Sequence, residues 1–174
     1  MFSCLRGAVC TIVARGWYPC QGHNYPAGMP DVLIASDGDR VHREVESVLA
    51  GPGTTVRRVH RGADVLPAVV ERTPDLLVVD MQIGNMGAFA VTLDLRLEAG
   101  AGRADDVPVL ILLDRRADVF LARRSTAEGW VIKPLDPIRL RRAAKALLAG
   151  GTYHDDSYLP DPVSVPAAGS PADD

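Results

Sequence analysis

Between residues 31 and 149, short runs of Val, Ile and Leu alternate with amphipathic segments of helical length, and this alternation constrains the fold more than any other feature. The spacing predicts strands at Val32–Ala35, Thr54–Val59, Leu76–Val79, Val109–Leu113 and Trp130–Ile132. Helices are expected at Arg40–Ala50, Val65–Arg72, Ala88–Glu98, Asp118–Arg124 and Ile138–Leu148. A run such as Leu76–Val79 is apolar at every position, so both faces of its strand need cover, the habit of parallel sheets. In the last helix, Ile138, Leu140, Ala144, Leu147 and Leu148 form one apolar stripe. Asp39 and Asp64 are candidate N-caps, Pro67 falls in a first helical turn where its missing N–H is harmless, and Gly51 is a natural stop. Five βα units in about 120 residues make a doubly wound, five-stranded parallel α/β sheet. Right-handed crossovers put helices on both faces, and the functional crevice opens at the carboxyl ends of the strands.

Charge divides the chain into three parts. Residues 1–30 hold Arg6 and Arg15 and no acid, residues 31–149 hold 17 basic and 17 acidic side chains, and residues 150–174 hold five aspartates and four prolines. The expected organisation is an N-terminal extension over 1–30, a folded domain over 31–149 and a disordered acidic, Pro-rich tail over 150–174. Cys4, Cys10 and Cys20 all lie in the extension at spacings that match no common zinc pattern. Arg6 and Arg15 bound its apolar run against a secretory signal, and Met29 just before the first strand is an alternative start. No apolar run approaches a bilayer span, so a cytoplasmic protein without a membrane partner is expected. A net charge of −3 gives no general attraction for nucleic acid.

The strand ends carry the chemistry. The first strand runs into Ser36-Asp37, the third into Asp80, the fourth into Leu113-Asp114 and the fifth into Lys133-Pro134. Asp37 and Asp80 are expected as neighbours on one rim with Lys133 close by. Two adjacent carboxylates repel unless a cation intervenes, and oxygen donors of this kind suit Mg²⁺. Lys133 suits a phosphate oxygen beside that metal, so the set supports phosphoryl transfer to a carboxylate. Singly, each aspartate also reads as a cap or turn residue, and Lys133 as a mere strand end. Their coincidence on three strands of one sheet carries the inference. Of 19 basic residues only Lys133 and Lys145 are lysines, and Lys133 falls where a compact ammonium fits better than a guanidinium.

Val32-Leu33-Ile34-Ala35-Ser36-Asp37, the stretch Pro74–Gly87 around Asp80, and Trp130-Val131-Ile132-Lys133-Pro134-Leu135 resemble, in order and spacing, the response-regulator receiver domains of the CheY-like superfamily. The resemblance covers about residues 31–149 and implies the flavodoxin-like strand order 2-1-3-4-5. It implies Asp80 as the phosphoacceptor, served by a histidine kinase, a phosphotransfer protein or a small phosphodonor. Mg²⁺ would sit on Asp37, Asp80 and the carbonyl of Gln82, and Lys133 would contact the acyl phosphate. Trp130 takes the place of the aromatic switch residue. The match implies a phosphoacceptor signalling domain, not an enzyme turning over an external substrate.

Several positions depart from that pattern. Ser36 replaces the first acid of the usual pair, which predicts weaker Mg²⁺ binding. Leu113 stands where the family has a switch hydroxyl, so the usual hydroxyl–aromatic coupling is absent in that form. Asp114 replaces a small residue and brings a negative charge that Arg115 or Arg116 would have to neutralise. Gly84 replaces a loop proline. Two readings follow: a phosphorylated single-domain regulator with altered read-out, or a pseudo-receiver that binds partners without phosphorylation. Output is expected through protein contacts to a downstream partner, or a homodimer, using the fourth helix, fifth strand and fifth helix, where Arg123, Arg124, Arg139, Arg141, Arg142 and Lys145 gather. A solvated face explains the same charges. Few aromatics argue against a nucleic-acid interface. An aspartate-nucleophile phosphatase would carry a second acid where the chain has Gln82, and Gly84-Asn85-Met86-Gly87 is no nucleotide loop. His42 and His60 read as surface residues.

Overall fold

The computed structural model describes residues 30–157; the expected N-terminal extension with its cysteines and Met29, and the tail beyond residue 157, lie outside the described residues. The chain alternates β1 (Asp31–Ala35), α1 (Asp39–Leu49), β2 (Thr55–Val59), α2 (Val65–Glu71), β3 (Leu76–Asp80), α3 (Ala88–Gly100), β4 (Val109–Leu113), α4 (Val119–Ala122), β5 (Gly129–Ile132) and α5 (Pro137–Leu148), and ends in β6 (Tyr153–His154). All pairings are parallel, in the order β2-β1-β3-β4-β5-β6. The flavodoxin-like order expected from the resemblance is present, with six strands rather than five.

Period-two alternation within wholly apolar strands sorts the core into two layers. Leu33, Leu77, Val79, Ile111 and Leu113 face Val65 and Val69 of α2 and Val91 and Leu95 of α3. Val32, Ile34, Val78, Leu110 and Leu112 face Val45 of α1 and Leu140, Ala143 and Leu147 of α5. Helix α4 keeps only one turn, because a 3-10 turn at Arg116–Asp118 takes the residues before it. Asp39 is the first residue of α1 rather than its cap, and the Asp64 side chain pairs with Arg61 instead of capping α2. Asp136 does cap α5, accepting from the Arg139 N–H.

The sixth strand falls in the segment that composition assigned to a disordered tail. Tyr153 and His154 pair with Gly129 and Trp130, closing an edge that would otherwise leave β5 backbone groups unpaired. Gly129 permits the approach, since a Cβ there would stand 2.7 Å from the Tyr153 carbonyl oxygen. Asp155 locks the strand: its buried carboxylate accepts from the Ile132 N–H at 2.9 Å and from Arg139 at 2.6 Å. Burial pushes its carboxyl up, but the Ile132 N–H, the Ser157 hydroxyl and N–H, and the Arg139 charge together prevail and hold it below the usual range. The order of this segment comes from one buried carboxylate and an open edge, which average composition does not register.

Candidate functional site

Asp80 ends β3 opposite Leu112 of β4 and is only 3% exposed. Its Oδ1 accepts from Lys133 Nζ at 2.7 Å and from the Gln82 N–H at 3.3 Å. Its Oδ2 accepts from the Ser36 hydroxyl at 3.0 Å, while Ser36 Oγ accepts from the Gly38 N–H. The β1–α1 turn and the end of β3 are thereby joined through one hydroxyl. Lys133 follows β5, its amide bonded to the Leu113 carbonyl at 2.8 Å, and a cis peptide joins it to Pro134. Its ammonium is shared, reaching Asp114 Oδ1 at 2.8 Å as well as Asp80. Burial alone would depress the Lys133 pKa, but the bonds to Asp114 and Asp80 prevail and raise it. Asp114 Oδ2 is buried with no hydrogen-bond partner among the described residues.

Asp80 and Lys133 thus meet as the strand-end spacing predicted. Asp37 is exposed, with Oδ2 3.6 Å from where a Cβ on Gly84 would lie, so it flanks the β3–α3 loop while Ser36 reaches Asp80. Among the described residues no three His, Cys, Asp or Glu side chains form a metal cluster. Leu113 and Trp130 are buried in the same apolar layer. The Trp130 indole stacks on His154 of β6 at 4.0 Å, and its N–H has no partner among the described residues.

Three features exceed the sequence expectations. The partner of Asp114 is Lys133, whereas Arg115 turns to Asp118. Ser36 is a structural bridge, not only a missing acid. His42 is wholly buried, contrary to its surface assignment; its Nε2–H donates to the Ser36 carbonyl at 2.7 Å. Val41, Val45, Val48 and Leu49 recur at helical spacing and mark the side of α1 that packs on the sheet, with His42 next to Val41. Burial pushes the His42 pKa down, against the pull of the Ser36 carbonyl.

A carboxylate fixed by three donors, one of them an ammonium, is arranged to take an electrophilic, anionic group. No protein-family model matches the chain. The transcriptional regulatory protein AfsQ1 of Streptomyces coelicolor is 30% identical over 125 residues, which cover 71% of this chain and 53% of that protein. The chain therefore spans about half the length of that relative. Protein PilH of Pseudomonas aeruginosa is 25% identical over 124 residues, matched over its full length and over 70% of this chain. The solved structure of a putative response regulator from Chloroflexus aurantiacus superposes with a TM-score of 0.64 at 25% identity, covering 70% of this chain and 99% of that one. With the strand order and the Asp80–Lys133 pair at the carboxyl rim, these similarities identify the folded region as a CheY-like receiver domain of the response-regulator family.

Proposed function

We propose that Asp80 accepts a phosphoryl group from a histidine kinase or a phosphotransfer protein, and that the domain relays this state through protein contacts in the cytoplasm. The observation that carries the reading is Lys133 Nζ at 2.7 Å from Asp80 Oδ1. An Asp80 oxygen attacks phosphorus, the bond from phosphorus to the donor breaks, and the donor leaves with its electron pair. Lys133 offsets the charge delivered to the rim, and Ser36 holds the other carboxylate oxygen.

Receiver domains generally bind Mg²⁺ at the phosphorylation site. The donors here fit it at low protein denticity: Asp37, Asp80 and the Gln82 carbonyl are hard oxygens, and Mg²⁺ keeps most of its waters. Bound there, it would neutralise charge on the phosphoryl oxygens. For output, Phe120 and Leu121 of α4 and Ile138 of α5 are exposed apolar side chains, which supports a protein partner or a second copy at this part of the surface.

Purified protein incubated with acetyl phosphate and Mg²⁺ is expected to gain one phosphoryl adduct by intact mass, absent in Asp80→Asn. No adduct where a competent receiver gains one, or an adduct surviving Asp80→Asn, overturns the assignment. The pseudo-receiver reading draws on Leu113, which has no hydroxyl, and on Asp114 beside Lys133. Under that reading partner binding is unchanged by Asp80→Asn.

A further inference from the structure

One ammonium at this rim serves two carboxylates. Lys133 Nζ lies 2.7 Å from Asp80 Oδ1 and 2.8 Å from Asp114 Oδ1. Asp114 comes from the residue directly after β4, so its backbone is set by the sheet. Arg115, the nearest arginine in sequence, pairs with Asp118 at 3.3 Å and does not relieve it. The second Asp114 oxygen is buried and without a hydrogen-bond partner among the described residues. A phosphate dianion drawn to Lys133 therefore meets a fixed carboxylate already bonded to that ammonium. Like charges at contact distance repel strongly, and the more so where the carboxylate is partly withdrawn from water.

We propose that Asp114 is a resident anion in the phosphoryl position, competing with phosphate-like groups for Lys133 and so setting how readily the site is phosphorylated. The last clause rests on Asp80 being the phosphoacceptor. Asp114 is a specificity-determining residue here, not a nucleophile. In the transfer, Asp80 attacks acetyl phosphate, the phosphorus–oxygen bond to acetate breaks, and acetate leaves with the electron pair. No proton moves. The product leaves a dianionic phosphoryl group beside Asp114, and Lys133 must turn from one to the other.

The test has two arms, on wild type, Asp114→Asn, Asp114→Ala and the double variant Asp114→Asn/Lys133→Gln, each checked by circular dichroism for fold. In the first arm, inorganic phosphate is titrated into metal-free protein and followed by phosphorus NMR. Both single Asp114 variants are expected to bind phosphate at least about fivefold more tightly than wild type, the scale of a partly screened charge contact. The double variant is expected to lose that gain. Equal affinities for wild type and the single variants overturn the proposal. In the second arm, the initial rate of labelling by acetyl phosphate with Mg²⁺ is expected to rise by a similar factor in Asp114→Asn and to vanish with Asp80→Asn. Labelling of Asp80 at an unchanged rate overturns the proposal. If no variant is labelled, the phosphoacceptor reading fails, and the phosphate arm still decides whether Asp114 competes for Lys133.

Discussion

His42 shows how much of the site rests on a residue that carries no phosphoryl chemistry. Its ring is sealed beneath the β1–α1 turn and donates to the Ser36 carbonyl, while the Ser36 hydroxyl donates to Asp80. Burial is the main force depressing its pKa, the bond to Ser36 opposes it, His60 and Arg58 add to the depression, and Asp39 opposes it. A histidine whose folded pKa lies below its unfolded value stabilises the fold fully when neutral. That contribution is lost as pH falls through the unfolded value near 6.5 towards the folded one. Urea midpoints of the wild type should fall between about pH 8 and about pH 5.5, and His42→Gln should flatten part of that slope. At the higher pH the variant should be less stable by about 1–2 kcal/mol, the cost of disturbing a buried hydrogen bond. An unchanged slope in His42→Gln would mean that this histidine does not carry the pH dependence. The aspartates and the lysine were legible in the sequence because strand ends are visible as the limits of apolar runs. Ser36 and His42 were not, because what matters in each is a bond across the fold, and a lone histidine on a short helix does not disclose which way it faces.

At the scale of an element, β6 is the part of the fold that composition concealed. Strands β1, β3 and β4 announce themselves through unbroken Val, Ile and Leu, whereas β6 has two residues and a Pro-rich, acidic sequence after it. Its stability rests on Asp155, which binds the Ile132 N–H and Arg139; Arg139 in turn donates to the Pro134 carbonyl at 3.2 Å. The strap is thus tied on both sides of Lys133. Asp155→Ala leaves a buried N–H and an arginine without their acceptor and should destabilise the fold by about 2–3 kcal/mol in urea unfolding. Because the folded pKa of Asp155 is depressed, its stabilisation is present above the unfolded value of about 3.8 and disappears as pH falls through the folded one. His154→Ala should cost less, about 0.5–1.5 kcal/mol for a lost stacked pair, and should alter Trp130 fluorescence. A loss of several kcal/mol in His154→Ala with none in Asp155→Ala would mean that stacking, not the buried carboxylate, holds the strand.

Across the whole molecule, the two rims of the sheet do different work. The carboxyl rim gathers Asp37, Asp80, Asp114 and Lys133, a net negative set open to solvent on one side. The amino rim is closed by arginines. Asp31, wholly buried, is bound by Arg57 and Arg72, and Arg57 also donates to the Ala68 carbonyl within α2 and the Arg72 carbonyl just past it. Arg96 of α3 pairs with Asp106 and with Glu128, and donates to the Val107 carbonyl, tying the helix to the entries of β4 and β5. This division follows from the parallel sheet, which sends every strand in the same direction and so separates where strands begin from where they end. An arginine-rich composition supplies the wide, multidentate clamps at the entries, and the one lysine at the exits supplies a point charge. Arg96→Ala removes one such clamp, leaving Glu128 held only by the Val109 N–H and the Val107 carbonyl without its Arg96 donor, at a site only partly exposed. It should lower stability by about 2–4 kcal/mol, read as a thermal midpoint roughly 5–10 °C lower, with Arg96→Lys only partly restoring it. The initial rate of phosphoryl labelling by acetyl phosphate, measured well below the new midpoint, should stay within about twofold of wild type, since no bond of Arg96 reaches the carboxyl rim. A labelling defect in Arg96→Ala as deep as that of Lys133→Gln would show instead that the entries and exits of the strands are energetically coupled.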